Sequence, residues 1–259
     1  MVDTPFHNGR DALALFAGLL FAGLAGSACA GVGDFVASLT PGGELALTSD
    51  YIYRGVSESD GHGAVQGDLH VATQGGTFLG AWASSRDSDL APGANAELQA
   101  YVGHRFALSS LWNATLTGRA HYFLGASAYE PSDDYQEISA SLTYLDSWSI
   151  SITAIPNAVR YWMYKRQSRA PAWVADTSGQ WLLGRQFFIT AGAGYYRSQG
   201  SGTGTDRATG YGYGNAGLAW EHGPFRADVG YFLTQDAAQR SFPYPTAGHK
   251  FAGTVTWRF

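Results

Sequence analysis

Ten charged side chains share one kind of position: Asp50, Arg54, Asp68, Glu97, Arg119, Glu137, Arg226, Asp228, Lys250 and Arg258. Each falls on the polar side of a stretch in which polar and apolar residues alternate. Cations and anions opposed across an inner wall select passing ions by charge. In such a ring Arg54, Arg119 and Arg226 would face Asp50, Asp68, Glu97 and Glu137. Asp50 and Arg54 could equally form an ion pair that pins a strand and its loop, and both roles stay open. The segment from Arg160 to Arg169 adds four cations, Arg160, Lys165, Arg166 and Arg169, and no acid. On an external loop these could meet lipopolysaccharide phosphates, fold inward and favour anions, or simply stay solvated.

Other chemistries find less support. Asp87, Asp89 and Asn95 lack the spacing and terminal Glu of a helix–loop–helix calcium site, so no metal is expected. The glycines between Gly200 and Gly204 lack the Lys and following helix of a phosphate loop, so no nucleotide or other cofactor is expected. A serine hydrolase needs a Ser–His pair, which is recognised by geometry rather than by order. His121 and Ser139 fall on neighbouring stretches, both on the polar side. A barrel enzyme, either a lipid hydrolase or a protease, therefore stays open as an alternative, as does a barrel that conducts nothing.

The elements that must carry these residues read as strands. From Leu45 to Ala72 two alternating arms flank a polar, Gly-containing loop, which is a hairpin pattern. Leu45, Leu47, Tyr51 and Tyr53 are assigned to the apolar face of the first arm, and Asp50 and Arg54 to the polar face. Val65, Gly67, Leu69 and Val71 are apolar on the return arm, opposite Gln66, Asp68 and His70. Ten further stretches alternate in the same way. Phe78, Gly80 and Trp82 are placed on the apolar face, as are Trp112 to Tyr122, Ile138 to Tyr144 and Trp148 to Ala154. Phe187 to Tyr195, Ala216 to Trp220, Phe225 to Leu233 and Phe251 to Phe259 continue the series. Between Pro156 and Pro171 the pattern breaks, and Trp173 to Leu182 makes a poorer strand.

Twelve strands result, joined alternately by long polar connections and by short turns. Aromatic residues mark the strand ends on the apolar face: Tyr53, Trp82, Trp112, Tyr122, Tyr144, Trp148, Tyr195, Trp220 and Phe225. An even strand number, this loop asymmetry and aromatic girdles predict an all-β, antiparallel up-and-down transmembrane barrel with both termini periplasmic. A soluble β-sandwich would carry Lys and Glu on its polar outer face, whereas here that face is mostly Ser, Thr, Gln and Tyr.

Residues 1–30 read as a removable signal peptide, with Arg10, the apolar run Ala12 to Leu24, and Ala28-Cys29-Ala30 as the cleavage site. The run is too short to span a membrane. The only cysteine leaves with it. Residues 31–43 would be a short periplasmic segment and 44–259 the barrel. Without Arg10, Asp3 and Asp11 the chain keeps 15 basic and 19 acidic residues, which is no nucleic-acid footprint.

The hairpin residues Ser49, Asp50, Tyr51, Arg54, Gly55, Ser57, Ser59, Asp60, Ala64, Gln66 and Gly67 closely resemble the signature of the TorF-type porin family of proteobacterial outer-membrane proteins. Gly80-Ala81-Trp82 and the run Glu97 to Gly103 also fit that pattern. Gly63 departs from it, standing where the pattern would carry Pro, and the segment from Pro156 to Pro171 is more basic and aromatic. The resemblance implies export and a membrane barrel more strongly than it implies a substrate. The C-terminal Phe259, ending an aromatic strand, resembles the signal read by the bacterial barrel-assembly machinery. The expected function is passive diffusion of small hydrophilic solutes across the outer membrane, with a weak preference for anions. The expected partners are outer-membrane lipid, lipopolysaccharide and the solutes.

Overall fold

The computed structural model describes residues 39–87, 95–125, 132–162, 165–166, 169–200, 208–242 and 246–259, with the side chains of residues 162, 165 and 166 left out. The expected signal peptide, its cleavage site, residues 31–38, Asp89 and the glycines after Gly200 lie outside the described residues. Residues Thr40–Phe259 form one compact unit.

Twelve strands close into a barrel. They are β1 (Leu39–Thr48), β4 (Ala64–Thr73), β5 (Thr77–Ser85), β6 (Ala96–Ala107), β7 (Trp112–Leu124), β8 (Tyr135–Tyr144), β9 (Trp148–Ala158), β12 (Ala170–Gly184), β13 (Phe187–Ser198), β14 (Thr209–His222), β15 (Phe225–Thr234) and β16 (Lys250–Arg258). Four two-residue strands lie in the connections: β2 (Ile52–Tyr53), β3 (Val56–Ser57), β10 (Tyr161–Trp162) and β11 (Lys165–Arg166). Around the barrel each strand neighbours the next barrel strand in sequence, and the ring closes where β1 pairs with β16 from Glu44↔Arg258 to Thr48↔Thr254. Gly43 and Phe259 extend that seam with a reciprocal pair of backbone hydrogen bonds of 3.0 Å each. Closure follows from the solvent: hydrocarbon offers no partner to a backbone N–H or C=O, so a spanning sheet must have no free edge.

Period-2 alternation decides which way each strand faces. Leu47, Leu69, Val102, Leu116, Ile138, Ile152, Ile189, Val229 and Phe251 all point outward and are exposed, Phe251 to 75%. Thr48, Glu97, Gln99, His121, Glu137, Thr153, Val174 and Ala219 point inward and are buried. The inversion of a soluble protein, with apolar residues outside and polar residues inside, is therefore present around the wall. The five turns at the end that holds both termini are tight. Between the paired Tyr144 and Trp148, Leu145 and Asp146 both take positive φ (49° and 51°), and the Ser147 N–H donates to the Tyr144 carbonyl at 3.0 Å, closing a tight left-handed turn.

The structure departs from the expectation in three places. The first strand begins at Leu39, five residues before the expected start of the barrel. β12 is a 15-residue strand rather than a poor one, with register shifts near its two ends, between Ala170 and Ala172 and between Leu182 and Gly184. β5 faces the opposite way: Leu79 points outward, while Phe78 and Trp82 point into the barrel. Inside, Phe78 meets Tyr101 (ring centroids 6.2 Å apart) and Trp82 meets Tyr51 (5.4 Å). Tyr101 lies across Gly80, where a Cβ would come within 2.5 Å of its hydroxyl, so only glycine fits under that ring.

Because the outer face answers to lipid, a charge placed at its middle is costly. Val229, in the middle of β15 and 54% exposed, tests this. Val229→Arg is expected to lower the unfolding free energy measured in lipid vesicles by about 2–4 kcal/mol.

Candidate functional site

The connection between β1 and β4 does not project away from the barrel. It turns inward as a miniature hairpin in which β2 pairs with β3, Ile52↔Ser57 and Tyr53↔Val56. The two residues at its tip, Arg54 (φ 51°) and Gly55 (φ 79°), give the left-handed pair that such a turn requires. Asp60 (φ 52°) and Gly61 (φ 79°) repeat that pair where the chain turns back towards the wall. Asp50 organises the base: its carboxylate accepts hydrogen bonds from Ser57 Oγ (2.5 Å) and Ser59 Oγ (3.0 Å), and Lys250 Nζ stands 3.6 Å away. Ser59 Oγ in turn accepts the Tyr51 N–H at 2.8 Å.

From this base the tip reaches several walls. Arg54 Nη2 donates to Glu137 Oε2 on β8 at 2.8 Å, and the Tyr53 hydroxyl points to the same oxygen at 3.4 Å. Tyr51 donates to Glu97 Oε2 on β6 at 3.1 Å. Thr234 on β15 donates to the Gly55 carbonyl at 2.5 Å, and Ser57 N–H donates to the Thr246 carbonyl at 2.9 Å. A Cβ on Gly55 would come within 2.6 Å of Tyr213 Cβ, so the tip sits directly on β14. Arg86, just past β5, donates from Nε to Glu58 Oε2 at 2.9 Å and lies over the Phe123 ring. Burial first, and then the charge of Glu97, pushes the Tyr51 phenol well above its ordinary range. Burial does the same for Tyr53, with Arg54 opposing and Glu137 adding. Both phenols stay protonated and remain donors.

His121, fully buried on β7, lies between the two wall carboxylates, with Nδ1 2.8 Å from Glu97 Oε1 and Nε2 3.5 Å from Glu137 Oε1. Its ring stacks on Tyr135 at 4.1 Å. Ser139 is not within this group: its hydroxyl accepts from Thr153 at 3.0 Å.

The loop divides the lumen. On the side towards the termini lie cavities of about 660, 620 and 390 Å³, which share walls at Tyr51, Ile52, Tyr53, Trp82, Thr117, Arg119 and Ser178. On the other side is a pocket of about 120 Å³ walled by Tyr135, Tyr161, Tyr196, Tyr211 and Phe242, among others. Tyr53 and Arg54 border both this pocket and the 620 Å³ cavity, so they form the partition.

The expected charged ring therefore resolves into separate levels. Arg54, Glu97 and Glu137 come together at the partition. Asp50 does not pair with Arg54 but holds the loop base. Asp68 takes hydrogen bonds from Tyr101 (2.6 Å) and faces His70 Nδ1 (2.6 Å). Arg226 and Asp228 meet near the end that holds the termini, where Arg226 also bonds Glu221 at 2.6 Å. Arg119 stands alone between these levels. In the basic segment Arg160 is buried, and Arg169 donates to the carbonyls of Ser132, Asp134 and Asn157. Lys165 and Arg166 form β11, paired with β10, and their side chains lie outside the described residues. Asp87 meets His62 at 3.3 Å.

Tyr51, Tyr53, Phe78 and Trp82 were assigned to the lipid face and are instead lumen residues. Ser57 and Ser59 were noted only as part of a pattern. The Arg54-Gly55 and Asp60-Gly61 pairs are the sequence signal that could have located both inward turns.

Closed, apolar outside, polar inside and narrowed by an inward loop, this is a twelve-stranded antiparallel β-barrel of the membrane-spanning type. The chain belongs to the family described as a bacterial protein of unknown function (Gcw_chp), whose model matches residues 36–257. Among solved structures it is similar to the NanC porin in its rhombohedral crystal form (TM-score 0.52, 12% identity, 84% of this chain and 98% of that one). It is also similar to a membrane protein from a study of in-meso crystallization (TM-score 0.51, 9% identity, 85% and 83%). An outer-membrane channel from Pseudomonas putida F1 follows at TM-score 0.49, with 12% identity over 84% and 94%. At these identities the likeness is one of fold. No curated protein matches the chain.

Breaking a buried ion pair from one side costs about 3–5 kcal/mol, because the other charge is stranded. Glu137→Ala strands Arg54 and removes the Tyr53 contact. It is expected to undock the hairpin, seen as faster proteolysis between residues 50 and 62 and a lower thermal midpoint. Gly55→Val, which meets Tyr213 at a positive φ, should do the same, whereas Gly61→Ala, strained by the same φ of 79° but with open space around it, should lower the midpoint less.

Proposed function

We propose that this chain is an outer-membrane channel for passive diffusion of small hydrophilic solutes, with its bore set by the inward β1–β4 hairpin. The observation that carries this reading is the connected, partly polar space on one side of Tyr53 and Arg54 and the pocket on the other, both bordered by these two side chains. A barrel built only as a scaffold has no need to keep polar cavities of several hundred Å³ beneath such a partition. Solutes small enough to pass beside Arg54 would cross, and larger ones would be held out. A weak preference for anions is part of the proposal, because Arg119 borders the lumen cavities without a carboxylate partner among the described residues. The particular family within this fold that we favour is the TorF-type porins, on the residues Ser49 to Gly67.

Residues 1–30 would be removed on export at Ala30. Phe259, exposed at the end of β16, would present the signal to the barrel-assembly machinery, and the Trp and Tyr belts would meet lipid and lipopolysaccharide. The tight hold on the loop also favours a second reading, a barrel that conducts nothing until the hairpin moves.

Refolded protein in planar bilayers separates the two. The channel reading expects discrete conductance steps and a reversal potential displaced towards anions under a KCl gradient. Arg54→Ala, and removal of residues 52–58, should both enlarge the steps. Wild-type silence with steps only after loop removal would mark a closed barrel; silence in all three would end the channel proposal.

A further inference from the structure

Among the described residues the other lumen cations discussed above are neutralised, and Arg119 is not. Arg54 has Glu137, Arg226 has Glu221 and Asp228, and Lys250 has Asp50 and the Thr246 carbonyl at 3.0 Å. Arg119 on β7 has no carboxylate within ion-pair distance among the described residues, and its Nε is buried without a hydrogen-bond partner. The β7–β8 register sets it beside Glu137, but Glu137 turns its oxygens to Arg54 and His121. The Tyr101 ring, 5.6 Å from the guanidinium carbon, covers one face and accepts no N–H. A guanidinium carries five donors and never loses its charge, so leaving it unpaired in a narrow lumen is costly.

Its surroundings suit an anion. Arg119 borders both the 390 Å³ and the 620 Å³ cavity, with Thr117 shared between them and Ser139 and Thr153 on the larger one. The carboxylates that face these cavities are occupied: Asp68 by Tyr101 and His70, Glu137 by Arg54 and His121, and Asp176 by the Tyr213 hydroxyl. A planar, forked cation with free donors, backed by hydroxyls and lying just inside the partition, matches a planar carboxylate in two-point contact.

We propose that Arg119 binds the carboxylate group of small solutes in transit and makes the lumen favour carboxylate anions over chloride. This rests on the channel reading, but its test does not need current. In detergent-refolded protein, exchanging chloride for propionate at equal ionic strength should raise the thermal midpoint by about 2 °C or more, as expected when a ligand binds only the folded state. Arg119→Gln should abolish the gain, while Arg197→Gln, on the outer face, should keep it. Arg119→Lys keeps the charge without the fork and should lose most of the gain. In bilayers, Arg119→Gln should lower the propionate-to-potassium permeability ratio at least about twofold, as removing a pore-lining charge does. An equal gain in wild type and Arg119→Gln, or a gain from sulfate as large as from propionate, would overturn the site. A propionate gain lost in Arg119→Gln, in protein that carries no current, would keep the site and end the channel reading.

Discussion

Everything inside this barrel is arranged around the carboxylate of Glu137. One oxygen takes Arg54 and lies within reach of Tyr53, and the other faces His121. A single wall residue thereby fixes the tip of a loop that enters the lumen from 83 positions earlier in the chain. The interaction is strong for the reason it is needed: with Arg54 and Glu137 both largely out of water, neither charge can be left without the other. Glu97 on β6, two strands away, repeats the arrangement, holding Tyr51 on one oxygen and His121 and Gln99 on the other. Two carboxylates bridged by one buried histidine thus make a rigid shelf, and the hairpin rests on it.

That shelf explains how charge is distributed through the lumen. Once Glu137 is committed to the loop, Arg119, its cross-strand neighbour, is left without a carboxylate. The barrel compensates its charges level by level, at the loop base, the partition and the end that holds the termini, and leaves one cation open in the middle. A lumen of fully matched pairs would present solutes with little net field. In the proposed channel, an unmatched guanidinium beneath the constriction would present a positive step to a passing solute, and in a narrow bore such a step would be felt strongly.

The hairpin is held by polar and apolar contacts together: Val56 packs with Tyr211, Ala238 and Ala247, and polar ties fix the rest. Its base is tied by Asp50, Ser57 and Ser59, its two left-handed turns by Gly55 and Gly61, and its tip by charge-assisted bonds to the walls. Arg54 holds a positive φ that a non-glycine residue rarely adopts. Such a conformation persists where the surroundings over-determine it, and here it aims the guanidinium at Glu137.

The period-2 alternation by itself determined the barrel. Lipid outside and water inside impose opposite chemistry on successive residues, so strand number, the long-and-short rhythm of the connections and the facing of ten of the twelve strands were legible in the sequence, β12 being too poorly patterned to assign. β5 was not, because its two faces are almost equally apolar: Leu79, Ala81 and Ala83 on one side, Phe78 and Trp82 on the other. Aromatic rings there fit either a lipid girdle or a lumen that supplies partners, and only the presence of Tyr51 and Tyr101 inside decides between them. Tyr51 and Tyr53 were misplaced for a related reason. Extending the alternation of β1 past Thr48 carries them outward, whereas the chain leaves the sheet at that point. Most of the charged lumen residues were identifiable, though Glu58, Arg86, Asp176 and Glu221 were not; the pairing was not legible. Whether Arg54 meets Asp50, four residues away, or Glu137, 83 residues away, depends on the direction of the loop, and that direction is set by contacts with Thr234, Tyr213 and Thr246 across the closed ring. Local pattern fixes which face a residue takes, but which partner it meets on that face is decided only when the barrel closes and brings distant strands to the same level.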